Sequence, residues 1–268
     1  MEPNTAFLAG VDQWVGELGR LRSVVRQEVV AAQLAEFVDH QSGSPLQVLD
    51  VGCGQGTQAL RLARAGHEVT GLDLSEQLLG YFEASLATEA PEIRARIRLV
   101  RGAGEAAPDL VPGPFDLVLC HGVLMYLDDI TPMLAALSAV ASNGACMSLL
   151  VRNGLAPAMR DGLRGDWSAA LTAFDKLDYT NRLGLPAHAH TPEAVDRILQ
   201  PLGWRRDRWS GVRVFTDHRD DTASATDALA DLLAAEREAG SRDPYRQVAA
   251  LLHLCYSRRD AGDIDTYR

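Results

Sequence analysis

The chain has few cysteines and keeps them apart. Cys53, Cys120, Cys146 and Cys255 form no C-x-x-C pair, which argues against a zinc site or a disulfide framework and leaves buried free thiols as the simplest reading. No apolar run approaches the roughly 18 residues of a membrane span, and Met1 to Gly10 lacks the basic-then-apolar layout of a secretory leader. These absences point to the cytoplasm and to no membrane partner. Positive charge is scarce as well: 26 Lys and Arg stand against 36 Asp and Glu, a formal net charge of -10. No global basic field therefore draws in a polyanion, and any nucleic-acid contact has to be local.

What is present is the mixture of an ordinary globular protein, 47% hydrophobic and 23% charged. At 268 residues the chain is near the upper limit of one hydrophobic core, so one α/β domain with an added substrate-covering segment is expected. Between Val11 and Val38 apolar residues recur at three- and four-residue steps, which predicts helix, split at Gly16 and Gly19. Strand Leu46 to Val51, a glycine loop and helix Thr57 to Arg64 follow. The alternation continues through strand His67 to Asp73, helix Ser75 to Ala87, strands Arg96 to Arg101 and Phe115 to His121, helix Ile130 to Ala141 and strand Ala145 to Arg152. Strands alternating with helices imply a parallel sheet with right-handed crossovers.

After Asn153 the rhythm breaks. Leu155 to Leu183 reads as a helical or irregular cap over the carboxyl edge of the sheet, followed by a loop Pro186 to His190. Helix Pro192 to Pro201, strand Trp204 to Phe215, helix Thr222 to Ala239 and strand Leu251 to Arg258 complete the pattern. The expected organisation is a single domain over 1–268: N-terminal helices in 1–44, a cofactor-binding core in 45–152, a cap insertion in 153–191 and the rest of the sheet in 192–268.

The most informative stretch is Val48-Leu49-Asp50-Val51-Gly52-Cys53-Gly54-Gln55-Gly56, where alternate glycines end a buried strand and open a helix. A Cβ at Gly52 or Gly54 would obstruct both the turn and the approach of a ligand to backbone. The third glycine of a dinucleotide fingerprint is replaced by Thr57, which argues against a nicotinamide cofactor. Asp73 ends the second strand, where its carboxylate either accepts the hydroxyl protons of an adenosyl ribose or caps the helix that begins near Ser75.

Leu49 to Gly56 with Asp73 closely resembles the nucleotide loop and ribose acid of the seven-stranded S-adenosylmethionine-dependent methyltransferases. Over nearly the whole chain the sequence is similar to the bacterial tRNA 5-carboxymethoxyuridine methyltransferase family, which esterifies a carboxylate at the wobble base. Val25-Arg26-Gln27, Asp73-Leu74-Ser75, His121-Gly122-Val123-Leu124, Asn153-Gly154, Gly211 to Asp217, Pro244-Tyr245 and His253 carry that likeness. The resemblance implies a Rossmann-like seven-stranded sheet, mostly parallel with the last strand antiparallel, helices on both faces and a small helical cap. It implies S-adenosyl-L-methionine as cofactor, held by Arg26, Asp50, Gly52, Cys53, Gly54, Gly56, Asp73, Leu74, Gly104, Glu105 and His121. Arg26 would pair with the methionine carboxylate. Left to itself, Arg26 reads as a solvated helix face and His121 as a satisfied strand-end histidine.

A carboxylate acceptor is already ionised at neutral pH and needs no general base; none is compelled by the sequence. The segment from Arg152 to Asp220 carries eleven Lys and Arg against nine Asp and Glu, a net +2 that leaves -12 for the rest of the chain. Within it, Trp204-Arg205-Arg206-Asp207-Arg208-Trp209 interleaves aromatics and cations, either to stack a base and hold phosphates or to pack its tryptophans inward. The tRNA enzymes carry a lysine run in the cap, whereas this chain has Lys176-Leu177-Asp178-Tyr179-Thr180-Asn181-Arg182, and Arg152 replaces the family's tyrosine. The acceptor is therefore expected to be a tRNA or a small carboxylate substrate, with Arg152 and Arg213 as the candidates to orient its carboxylate. A non-catalytic cofactor-binding partner subunit is a third reading, opposed by the intact Arg26, Asp73 and His121. His188-Ala189-His190 reads as solvent-facing, and no metal is assigned.

Overall fold

A computed structural model describes residues 6–38, 45–219 and 228–258. A 3-10 turn (Ala6–Gly10) leads into α1 (Val11–Gly16) and α2 (Leu21–Val38), separated where the two glycines predicted a break. The core then runs β1 (Gln47–Val51), α3 (Thr57–Arg64), β2 (Glu68–Asp73), α4 (Glu76–Ala87), α5 (Pro91–Arg94), β3 (Ile97–Arg101), α6 (Ala107–Leu110), β4 (Phe115–His121), α7 (Thr131–Val140) and β5 (Ala141–Arg152). The segment over the sheet contains α8 (Met159–Leu163), α9 (Trp167–Ala173), β6 (Asp178–Thr180) and β7 (Pro186–His188). Last come α10 (Pro192–Leu199), β8 (Trp204–Val212), α11 (Leu229–Ser241) and β9 (Leu251–Arg258).

Seven strands form one sheet in the order β3-β2-β1-β4-β5-β9-β8. β1 to β5 pair in parallel, and β9 runs antiparallel to both β5 and β8. The sheet is thus parallel except for the last strand of the chain, as the resemblance implied. Alternate residues of β4 serve opposite cores: Val118 and Cys120 pack with α7 and α10, while Leu117 and Leu119 pack with α2, α3 and α4. A strand covered on both faces has no polar side, which is why β4 reads as a continuous apolar run. All four cysteines are buried free thiols.

Some boundaries differ from expectation. β5 begins at Ala141 rather than Ala145, because Ala141 pairs with Phe115 across a register shift before the regular ladder resumes at Cys146. Pro186 to His188 is not loop but pairs with Asp178 to Thr180 as a two-stranded ribbon; three-residue strands carry too little alternation to be read from pattern. β8 ends at Val212 because Arg213 turns the chain with a φ of 62°. The helix expected from Thr222 is described from Leu229, and residues 220–227 lie outside the described residues.

Candidate functional site

The carboxyl ends of β1, β2, β4 and β5 surround one cavity of about 300 Å³, closed on the far side by α2 and by the segment between β5 and α10. Its floor begins with the loop after β1. Gly52 has a φ of 69° and Gly54 a φ of 56°, a region where a Cβ is strained, and a Cβ on Gly52 would lie 2.2 Å from Val123 Cγ2. The loop is tied to β2: Gly52 N donates to Leu72 O at 2.7 Å and Gly54 N to Asp73 Oδ2 at 2.8 Å. Trp14 from α1 lies over Gly54, and its edge meets Phe7, which in turn packs on Tyr126.

Asp73 is buried and accepts a second backbone bond, from Ser75 N to Oδ1 at 2.8 Å. The helix cap itself is Ser75, whose Oγ accepts from Leu78 N. The alternative of Asp73 as N-cap is therefore replaced by a tie between loop and strand that does not use up the acceptor capacity of the carboxylate. Burial raises the Asp73 carboxyl despite its bonds to the amides of Ser75, Gly54 and Leu74. Asp50, one strand away, is pushed up to about 7 by burial and by Asp73. Leu74, Gly104 and Glu105 complete this acidic half of the cavity, and Cys53 lines it from the loop. Gly56 departs from expectation. It does not line the cavity but precedes α3 with a φ of 85°, where a Cβ would meet the Phe82 ring at 2.3 Å.

Arginines dominate the other half. Arg26 on α2 faces the cavity and makes no ion pair or hydrogen bond with a described residue; burial and nearby Arg213 lower its guanidinium to about 10. Gly122, with a φ of 78°, borders it: a Cβ there would stand in ordinary contact with Arg26, 3.9 Å from Nη1. Arg152 at the end of β5 and Arg213 beyond β8 both pair with Asp217, at 3.2 and 3.0 Å. Burial acts to raise Asp217, yet Arg213, Arg152 and Arg160 together hold it below the ordinary carboxylate range. Arg152 also lies over the Tyr179 ring, 5.4 Å from its centroid. Three guanidiniums around one carboxylate leave this corner with an excess of positive charge.

The turn that carries Arg213 is held from behind. Glu236 of α11, fully buried, accepts from Val214 N, Phe215 N and Thr216 Oγ1 at 2.7, 3.1 and 2.8 Å. Neither Glu236 nor Arg160 was identifiable from the sequence, since an acid on a polar helix and an arginine in a cap look like solvated surface. At the end of β4, His121 Nε2 lies 2.9 Å from Ser148 Oγ, and burial with the charge of Arg26 lowers the imidazole to about 3.

Of the two readings open for the Trp204 to Trp209 stretch, inward packing holds. Trp204 is buried with Nε1 donating to Ser138 Oγ, Trp209 packs on the core beneath Arg246, and neither lines the cavity. The neighbouring arginines pair with Asp207, Asp196 and Glu36, so the interleaved stretch is a packed edge strand and not a base-stacking platform. His188, expected to face solvent, stays partly exposed and bonds the exposed Asp178 and Asp128, whereas His190 is turned inward, its Nε2 3.3 Å from Leu124 O.

Comparison with known proteins agrees with this geometry. Residues 48–144 match the family described as a methyltransferase domain. The chain is 26% identical to the tRNA 5-carboxymethoxyuridine methyltransferase of Escherichia coli K12, covering 91% of this chain and 92% of that one. It is 34% identical to the ubiquinone biosynthesis O-methyltransferase of Methylococcus capsulatus, covering 72% of each. Among solved structures, magnesium protoporphyrin IX methyltransferase from Synechocystis with bound S-adenosylhomocysteine superposes with a TM-score of 0.62 at 18% identity, over 95% of this chain and 97% of that one.

Proposed function

This chain belongs to the S-adenosylmethionine-dependent methyltransferases, and from that premise we propose that it transfers the methyl group to a carboxylate oxygen, forming a methyl ester. The observation that carries the reading is the cationic corner of Arg152, Arg160 and Arg213, which faces the same cavity as the glycine loop.

The residues fit the cofactor. Asp73 offers acceptor sites suited to a ribose, Gly104 and Glu105 line the same cavity and are assigned to the adenine edge, and Arg26 is a cation with no acid partner among the described residues, suited to the amino-acid carboxylate. S-adenosylmethionine supplies a methyl group already activated on a sulfonium. The protein then has to align an acceptor oxygen with the methyl–sulfur axis and exclude water. Arg152 and Arg213 orient the acceptor carboxylate, with Asp217 holding the two guanidiniums in place before it arrives. Because the carboxylate is ionised at neutral pH, no base is needed. Esterification removes the acceptor's negative charge, so the product loses its attraction to the arginines and leaves.

The near full-length likeness to the tRNA enzyme supports a carboxylate carried on tRNA as the acceptor. A free small carboxylic acid is the second reading, and the surface favours it: Leu163, Trp167, Leu171 and Phe174 of the cap are exposed, Lys176 is the one lysine of the chain beyond Arg152, and the β8 arginines are already paired. Incubation with labelled cofactor and either unmethylated bulk tRNA or a mixture of free acids separates the two. Label in tRNA, weakened steeply by salt, establishes the first; salt-insensitive label in the free acids, with none in tRNA, establishes the second. Label in neither removes the proposal.

A further inference from the structure

A chain of buried polar groups runs from the back of the sheet to the cavity wall. Gln33 Nε2 donates to Gly211 O at 3.2 Å, and Gln33 Oε1 lies 2.9 Å from His253 Nδ1. His253 Nε2 lies 2.7 Å from Ser148 Oγ, which lies 2.9 Å from His121 Nε2. The two imidazoles stand edge to face, 5.6 Å between centroids. His253 and Ser148 are fully buried, and Gln33 nearly so.

The direction of every bond follows from its first member. A main-chain carbonyl only accepts, so the Gln33 amide must point its NH₂ at Gly211 and its oxygen at His253. His253 therefore carries its proton on Nδ1 and presents a bare Nε2. The Ser148 hydroxyl must donate to that lone pair, because the opposite arrangement would set two lone pairs against each other at 2.7 Å. Ser148 Oγ then accepts from His121 Nε2–H, which leaves His121 Nδ1 without a proton. Cys255 Sγ, 3.6 Å from His253 Nε2, is a weak donor and fits the same sense.

His121 Nδ1 is buried with no hydrogen-bond partner among the described residues, and His121 shares the cavity wall with Arg26, which has no acid partner there. An α-amino acid zwitterion, the end group of the methyl donor, can donate to the imidazole and accept from the guanidinium at once. We propose that Gln33, His253 and Ser148 are positioning residues that lock His121 in the Nε2–H tautomer, so that its Nδ1 lone pair receives the ammonium group of the cofactor. This rests on the cofactor occupying the cavity as read above.

The test has two arms. Nitrogen-15 spectra of histidine-labelled protein saturated with S-adenosylhomocysteine are expected to show opposite tautomers, His121 protonated on Nε2 and His253 on Nδ1. In parallel, S-adenosylhomocysteine and its des-amino analogue are titrated into wild type, Ser148→Ala and Ser148→Thr. Wild type is expected to prefer the amino compound by about tenfold or more, the scale of a hydrogen bond to a charged group. Ser148→Ala is expected to bind both alike, and Ser148→Thr, which keeps the hydroxyl, to restore the preference. His253 protonated on Nε2, or an undiminished preference in Ser148→Ala, overturns the proposal. Failure of wild type to bind S-adenosylhomocysteine overturns the cofactor placement instead, and spectra of the unliganded protein then still judge the tautomers.

Discussion

Asp73 joins two tasks in one carboxylate. The amides of Gly54 and Ser75 donate to its two oxygens and shape the loop, and the same carboxylate lines the cavity, where it is proposed to accept from the ribose. Replacing it by asparagine keeps the size but turns one acceptor into a donor facing an amide. Asp73→Asn is therefore expected to weaken cofactor binding by about 1–3 kcal/mol; unchanged affinity by calorimetry would reduce Asp73 to a loop tie. Arg26 makes a cleaner case because it does no structural bonding to described residues. Arg26→Leu should leave the melting temperature close to wild type and raise the dissociation constant of S-adenosylhomocysteine about tenfold or more, the range of a charge-assisted pair. A large loss of stability with unchanged affinity would show that the guanidinium serves the fold.

The turn that follows β8 carries Arg213, one of the two arginines proposed to orient the acceptor. It bends at Arg213, a non-glycine residue in the left-handed region that costs roughly 1–2 kcal/mol, and Glu236 compensates by taking three donors of the following residues. Glu236→Gln sets an NH₂ against those donors. It is expected to lower stability by about 1–3 kcal/mol and to raise the acceptor KM while the affinity for S-adenosylhomocysteine stays unchanged. Equal loss of both affinities would mean that the clamp supports the whole cavity. The core strands were legible because runs such as Leu117 to Cys120 are apolar throughout, and Gly52 to Gly54 were legible because spaced glycines after a strand have a specific use. Glu236, Arg160 and the Gln33–His253–Ser148 chain were not, since each owes its role to neighbours tens to hundreds of positions away. The tryptophans of β8 were open to two readings because alternation with arginines is the same pattern for an edge strand and for a stacking platform.

Across the whole molecule, buried titratable groups pull stability in opposite directions with pH. His121, lowered to about 3, and His253, lowered well below its ordinary value, are neutral in the folded state. Their contribution is fully present above the unfolded value of about 6.5 and is lost as pH falls toward the folded one. Asp217, held low by its arginines, acts in the same sense at more acidic pH. Asp50 opposes them: its carboxyl, raised to about 7, favours the fold when protonated, and that contribution fades as pH rises through about 7. Asp50→Asn removes the opposing slope. Urea unfolding from pH 7 down to about 4.5 is expected to show a steeper fall in stability for Asp50→Asn than for wild type; parallel curves would place the Asp50 titration elsewhere.

The same division of charge, acids under β1 to β3 and arginines beyond β5, underlies the proposal that an anion is methylated. Its most direct test is the chemical nature of the bond formed. Protein is incubated with methyl-labelled S-adenosylmethionine, unmethylated tRNA and free carboxylic acids, and the labelled products are then treated with mild alkali. A methyl ester releases its label as volatile methanol, which is the result expected here; label that survives alkali as an ether, amine or carbon-bound methyl group would contradict the account.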